Sequence, residues 1–182
     1  MEELSLHILD VVENGTAAGA TLVRVEIEEN SDEDRLVIRI EDNGRGMDPE
    51  AAQQAVDPFV TTRTTRRVGM GLPLLRQATE DAEGSFVIRS QPGKGTHVTA
   101  TFQASHLDRQ PLGDLAETMV TLILGNPDID FVYEHTIDGA KTTLDTREVR
   151  EQLGDVPITD PAVLGLIRNL LRAPPDGGEN DG

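Results

Sequence analysis

Asp10 and Asn14 lie four residues apart in a stretch where Leu4, Ile8, Val11 and Val12 recur at steps of three and four. That spacing predicts a helix over residues 3–14, with the acid and the amide stacked on its other side and able to reach one small object together. A solvated polar face has the same pattern. Two glycine-rich turns follow, Asp42-Asn43-Gly44-Arg45-Gly46-Met47 and Gly69-Met70-Gly71-Leu72. From Pro58 to Thr79 there is no Asp or Glu, yet Arg63, Arg66, Arg67 and Arg76 fall there. In a chain of net charge −17, a basic island bordered by glycines is a seat for an anion. The helix that Gly71 opens adds unpaired backbone N–H groups on which phosphates can dock.

The elements that must hold these residues are legible in order. Gly15 and Gly19 are expected to end the first helix. Val23, Val25 and Ile27 alternate with polar residues, as do Leu36, Ile38 and Ile40, which predicts two half-buried strands around a polar loop over 29–34. Asp42-Asn43-Gly44 alone would suit a hairpin. Asp48 as a cap and Pro49 as a first helical residue make it a strand-to-helix junction instead. Leu72, Leu74, Leu75 and Ala78 belong to the helix from Gly71, which stops near Gly84. Phe86 and Ile88 mark a third strand. Val98, Ala100 and Phe102 mark the inner face of a fourth, with His97, Thr99 and Thr101 outside. Gly93-Lys94-Gly95-Thr96 lacks the spacing of a Walker phosphate loop and leads into a strand.

Beyond Gln103 the pattern changes. Leu112, Leu115, Met119, Leu122 and Ile123 predict an amphipathic helix that Gly125-Asn126-Pro127 ends. Ile129 to Ile137 and Thr142 to Leu144 predict a hairpin turned by Asp138-Gly139. Asp145 with Glu148 signals a short helix, and Pro161 opens a last one. No internal repeat and no catalytic pattern is evident in this part. The expected division is 1–103 as one domain, 104–173 as an α+β extension that either grips a partner or extends the core, and 174–182 as a disordered tail.

Composition removes several function classes. A pI near 4.4 argues against nucleic acid, whose phosphates are bound by clustered Lys and Arg, and against an anionic membrane surface. No apolar run approaches the roughly 18 residues that span a bilayer, and the N-terminus does not read as a signal peptide, so the expected location is the cytoplasm. Absence of cysteine excludes disulfides and thiolate chemistry. Four histidines without H-E-x-x-H spacing give no transition-metal signal.

Together, Asp10 with Asn14, Asp42-Asn43-Gly44-Arg45-Gly46, the loop Asp57 to Val68, Gly69-Met70-Gly71-Leu72 and Gly93-Lys94-Gly95-Thr96 resemble the histidine-kinase-like ATPases. That superfamily includes DNA gyrase B, the large heat-shock chaperones, sensor histidine kinases and mismatch-repair ATPases. The resemblance covers residues 1–102. It implies an α+β fold, a two-layer sandwich of the Bergerat type, with ATP between the helical layer and a lid. It implies that Asp42 accepts a hydrogen bond from the adenine amino group, that Gly44 and Gly46 leave room for the base, that Met47 walls it, and that Thr96 helps hold Asp42. Asn14 would be the one protein ligand to Mg²⁺. Thr62, Arg63 and Arg66, with Gly69, Met70, Gly71 and Leu72, would surround the phosphates, with Arg63, Arg66 or Arg67 reaching the terminal one and Arg63 taken as catalytic beside Asp10. Asp10 takes the place of the Glu that orients or deprotonates water in ATP-hydrolysing relatives, and is a methylene shorter. His7, one turn away, reads as a surface histidine.

The expected activity is transfer of the γ-phosphoryl group to an unidentified protein partner, as in the resembling anti-sigma-type serine kinases and split histidine kinases. The alternative is an ATP/ADP-dependent switch or slow ATPase. Ser105-His106-Leu107-Asp108-Arg109-Gln110-Pro111-Leu112 is similar to the kinase phosphoacceptor box. Leu107 replaces its acid, and the box follows the ATP domain instead of preceding it. His106 therefore reads as a linker histidine, with autophosphorylation as the lesser alternative. The oligomeric state, a homodimer included, is left open.

Overall fold

The computed structural model describes residues 2–59 and 70–175. The expected disordered tail from residue 176 and most of the expected lid lie outside them. The elements are α1 (Leu4–Ala17), β1 (Leu22–Asn30), β2 (Arg35–Asp42), α2 (Pro49–Ala55), α3 (Gly71–Asp81), β3 (Ser85–Gln91) and β4 (Gly95–Gln103). They continue with α4 (Leu115–Gly125), β5 (Asp130–Ile137), β6 (Ala140–Asp145), α5 (Thr146–Leu153) and α6 (Pro161–Arg172).

All six strands form one sheet in the order β3-β4-β2-β1-β5-β6. Neighbours are antiparallel except β1 and β5, which run parallel from Leu22↔Asp130 to Glu29↔Ile137. A parallel pair needs a long crossover, and α4 supplies it. The β5–β6 turn has Asp138 and Gly139 at φ 47° and 88°, the left-handed pair that a two-residue hairpin demands. The C-terminal segment thus adds two strands to the sheet that β1–β4 begin.

Period-two patterning puts Val23, Val25, Ile27, Ile38, Ile40, Ala100, Phe102, Phe131 and Tyr133 on one face, at 0–2% exposure. Leu4, Ile8, Val12, Leu75, Met119 and Ile123 of α1, α3 and α4 close over them in one continuous core. Fully burying such a side chain stabilises by about 1.5–3 kcal/mol, so the apolar stripe of α1 outweighs the roughly 1 kcal/mol that a mid-helix glycine costs.

That balance corrects the expected end of α1. Gly15 lies inside the helix, which continues to Ala17. Leu112 lies outside α4, because Asp114 caps that helix by accepting from the Glu117 N–H. His7 is buried, at 2% exposure, and is not a surface residue. Its Nε2 lies 2.8 Å from Gln110 Oε1.

Candidate nucleotide site

Between α1, the ends of β2 and β4, and the start of α3 lies a cavity of about 220 Å³. Val11, Asn14, Asp42, Gly46, Met47, Leu72, Thr96 and Val98 are among the residues lining it. The apolar part comes from inward-facing core positions, and the polar part from the residues singled out in the sequence.

Asp42 is the last residue of β2, where the chain leaves the sheet, so its carboxylate can turn toward α1. It bends back to accept the Gly44 N–H at 2.8 Å, which fixes the first turn after the strand. Two glycines make room for it. A Cβ on Gly15 would stand 2.8 Å from Asp42 Oδ2, and one on Gly44 would stand 2.9 Å from Oδ1. Gly15 therefore serves Asp42 and not the helix end, a role that only proximity across space reveals. Burial pushes the Asp42 carboxyl above its ordinary pKa, and the Gly44 N–H and nearby His97 offset this only in part. A half-buried carboxylate with no ion-paired cation among the described residues is an acceptor awaiting a donor.

The turn beyond Asp42 is locked from outside. Asn43 Oδ1 accepts from the Thr21 and Leu22 N–H groups at 2.8 and 3.0 Å. Gly46 has φ 69°, and a Cβ there would stand 1.9 Å from the Gln91 carbonyl oxygen. The demand for glycine is thus set by the β3–β4 turn pressing on this one. Ser90 joins the two: its Oγ accepts from the Met47 N–H at 2.8 Å and lies 2.8 Å from Thr96 Oγ1. Thr96 faces Asp42 in the β2–β4 register. Sequence reading missed Ser90 and Arg45, since neither has a periodicity or spacing that distinguishes it from other strand and turn polars.

Asn14, next to Gly15 on α1, also lines the cavity. Asp10 lies one turn earlier and packs against α3: a Cβ on Gly71 would stand 2.7 Å from Asp10 Cβ. Gly71 thereby brings the N-terminus of α3 against α1. Leu72 is buried beside it, and Met70, half-exposed, precedes the helix. Thr62, Arg63, Arg66, Arg67 and Gly69 lie outside the described residues. Arg76 turns away to Glu80, 3.3 Å distant, so this member of the basic island has a carboxylate of its own. His106 sits in the turn after β4, with Nδ1 accepting the Asp108 N–H at 3.1 Å.

Comparison with known proteins bears on this geometry. The sensor histidine kinase YxdK of Bacillus subtilis is 34% identical over 83 residues, 43% of this chain and 26% of YxdK. The sensor protein kinase FleS of Pseudomonas aeruginosa is 35% identical over 92 residues, 50% of this chain and 23% of FleS. The chain thus spans about a quarter of either kinase. The MutL ATPase domain of Aquifex aeolicus, solved in complex with ADP, superposes with a TM-score of 0.50 at 19% identity, over 82% of this chain and 68% of that one. This likeness shows the shared fold. Residues 2–106 match the model of the histidine kinase-, DNA gyrase B- and HSP90-like ATPases, and the chain, whose acidic strand end, helix-borne amide and Leu72 meet at one cavity, belongs to that family of ATP-binding modules.

Proposed function

We propose that the chain binds Mg·ATP in this cavity and transfers the γ-phosphoryl group to a side chain of a partner protein. The observation that carries the reading is the Asp42 carboxylate, half-buried and flanked by Gly15 and Gly44, facing a cavity that Asn14 also lines. Asp42 accepts from the adenine amino group, and Met47 lies against the base as a polarizable wall. Asn14 suits Mg²⁺ because the ion takes oxygen ligands and keeps waters and phosphate oxygens in the rest of its shell; when bound, Mg²⁺ neutralises charge on those oxygens. Arg63, Arg66 and Thr62 bind the phosphates. In the transfer, the bond from the γ-phosphorus to the bridging oxygen breaks, ADP leaves with that electron pair, and the partner's hydroxyl oxygen or imidazole nitrogen forms the new bond. Asp10 takes the proton released.

A second reading, a nucleotide-dependent switch or slow ATPase, is favoured by the position of Asp10. Its backbone is packed against Gly71, and it is not among the described residues that line the cavity. A short acid held back from the cavity is a poor base, since reach matters at the scale of an ångström.

Incubation with γ-labelled ATP and extract separates the two. Label on a second protein supports transfer, and free phosphate or bound, unreacted ATP supports the switch. Acid-labile label on this chain instead would point to His106. Calorimetric titration with Mg·ATP and Mg·ADP tests the common premise: absence of heat at millimolar ligand, or an unchanged isotherm for Asp42→Ala, would refute both.

A further inference from the structure

On the face of the sheet opposite the core, charge is divided. Across it run two rungs of paired residues, Arg89–His97–Glu41–Arg24–Val132 and Val87–Thr99–Arg39–Glu26–Glu134. Toward β3 the rungs are cationic and apolar; toward β5 the second becomes acidic at Glu26 and Glu134, while the first passes through Glu41 to Arg24 and Val132. A groove of about 960 Å³ opens over the cationic end, bordered by Ala52 of α2 and lined by Arg39, Val87, Arg89, Lys94 and His97. Arg39 and His97 have carboxylate neighbours, Glu26 at 3.1 Å and Glu41 at 3.3 Å. Arg89 and Lys94 are exposed and pair with no carboxylate among the described residues. In a chain with 33 acidic side chains and 16 lysines and arginines, two cations left without a partner beside an exposed valine make a feature that the net charge does not foresee.

We propose that this groove docks an acidic, extended segment of a partner protein, lying along β3 with carboxylates over Arg89 and Lys94 and an apolar residue over Val87. The chemistry follows from three features. β3 is an edge strand seven residues long, and an extended segment alternates its side chains at the same period as the strand beneath it. The cationic strip is short, and a longer polyanion such as a nucleic acid would run onto Glu26 and Glu134. Opposite charge across an interface chiefly sets specificity and encounter rate, which suits a partner that must be found by a strongly acidic protein. The groove also shares structure with the nucleotide cavity. Ser90, in its floor, holds the Met47 N–H and Thr96 that line the cavity. This inference names the chemistry of the partner in the reading above and does not depend on phosphotransfer.

The test uses the whole chain without nucleotide, so that failure here leaves the ATP reading untouched. A fluorescein-labelled octapeptide of two Ser-Val-Ser-Glu repeats, which when extended carries Val and Glu alternately along one face, is titrated by fluorescence anisotropy at 50 mM salt. Saturable binding in the micromolar range is expected, weakened about tenfold by Arg89→Glu with Lys94→Glu, by a smaller factor by the paired glutamine variants, and strongly by 500 mM salt. Unchanged melting temperatures and circular dichroism establish that the variants fold. No saturation at millimolar protein, equal binding by the charge-reversed variant, equal binding of the counterpart with lysine in place of glutamate, or tighter binding of an eight-nucleotide oligothymidylate would each overturn the proposal.

Discussion

The glycines around the nucleotide cavity and those of the C-terminal strands and helices stand in opposite surroundings. At Gly15, Gly44, Gly46, Gly71 and Gly95 an added methyl would come within 3.0 Å of a neighbouring atom. At Gly125, Gly139, Gly154 and Gly165 it would meet nothing within 4 Å. The first group lets backbone approach backbone, or backbone approach a carboxylate, and so builds a site. The second ends helices, turns a hairpin or merely occupies a helix face. The sheet is continuous across both regions, yet one is assembled by close approach and the other by caps and apolar packing, so alanine for glycine at a helical position such as Gly165 should have the opposite consequence from alanine at the cavity.

The largest effect is expected from Gly46→Ala. With φ at 69° and the Gln91 carbonyl in the way, the new methyl forces the two turns apart, at a cost of about 3 kcal/mol. For a chain of this size a thermal melt should fall by about 10 °C. Gly15→Ala should separate binding from folding. Its methyl displaces the Asp42 carboxylate while the helix gains propensity, so calorimetry should show ATP affinity falling about tenfold with little change in melting temperature. An unchanged affinity would mean that Asp42 does not need its present position.

Asp42→Asn sharpens the contrast through pH. Burial raises the folded-state pKa of Asp42 above its unfolded value. Its contribution to stability is therefore fully present below the unfolded pKa and lost as pH rises through the folded one. At pH 7 the ionised, desolvated carboxylate costs stability, and the amide does not. The variant should melt higher than wild type at pH 7, the gap closing on acidification toward pH 4, while losing nucleotide binding at every pH. Wild-type ATP affinity should decline over the same acid range as the acceptor is protonated. The smallest effect belongs to the other region. Gly165→Ala, inside α6 with open space around it, should stabilise by about 0.5–1 kcal/mol in chemical denaturation and leave ATP binding alone.

What the sequence revealed, and what it hid, follows the same division. Asp42, the strand-to-helix junction at Asp48-Pro49 and the Asp138-Gly139 turn were legible because each depends on residues within a few positions of one another. The amphipathic periods of α1, α3 and α6 were legible for the same reason. Gly15 was misread as a helix end because its requirement comes from Asp42, distant in sequence and adjacent in space. His7 was read as exposed because the Gln110 that covers it arrives after the fourth strand. The parallel pairing of β5 with β1 has no local signature, since period-two patterning marks a strand without naming its neighbour. The cationic groove was likewise invisible: Arg39, Arg89 and His97 look, one strand at a time, like ordinary outward polar residues.

The first turn of α1 is tied down by a segment far along the chain. The Leu4 and Ser5 N–H groups donate to the Pro111 and Leu112 carbonyls at 2.9 and 2.8 Å, and Gly113 comes so close that a methyl there would strike Ser5 Oγ. During synthesis, then, α1 leaves the ribosome long before the segment that seats its first turn. Its oily stripe must wait, unsheltered, through more than a hundred further residues, a delay in which nascent chains are prone to stick to one another. Competence to hold nucleotide would arrive late, once residues 111–113 have seated the helix that carries Asn14.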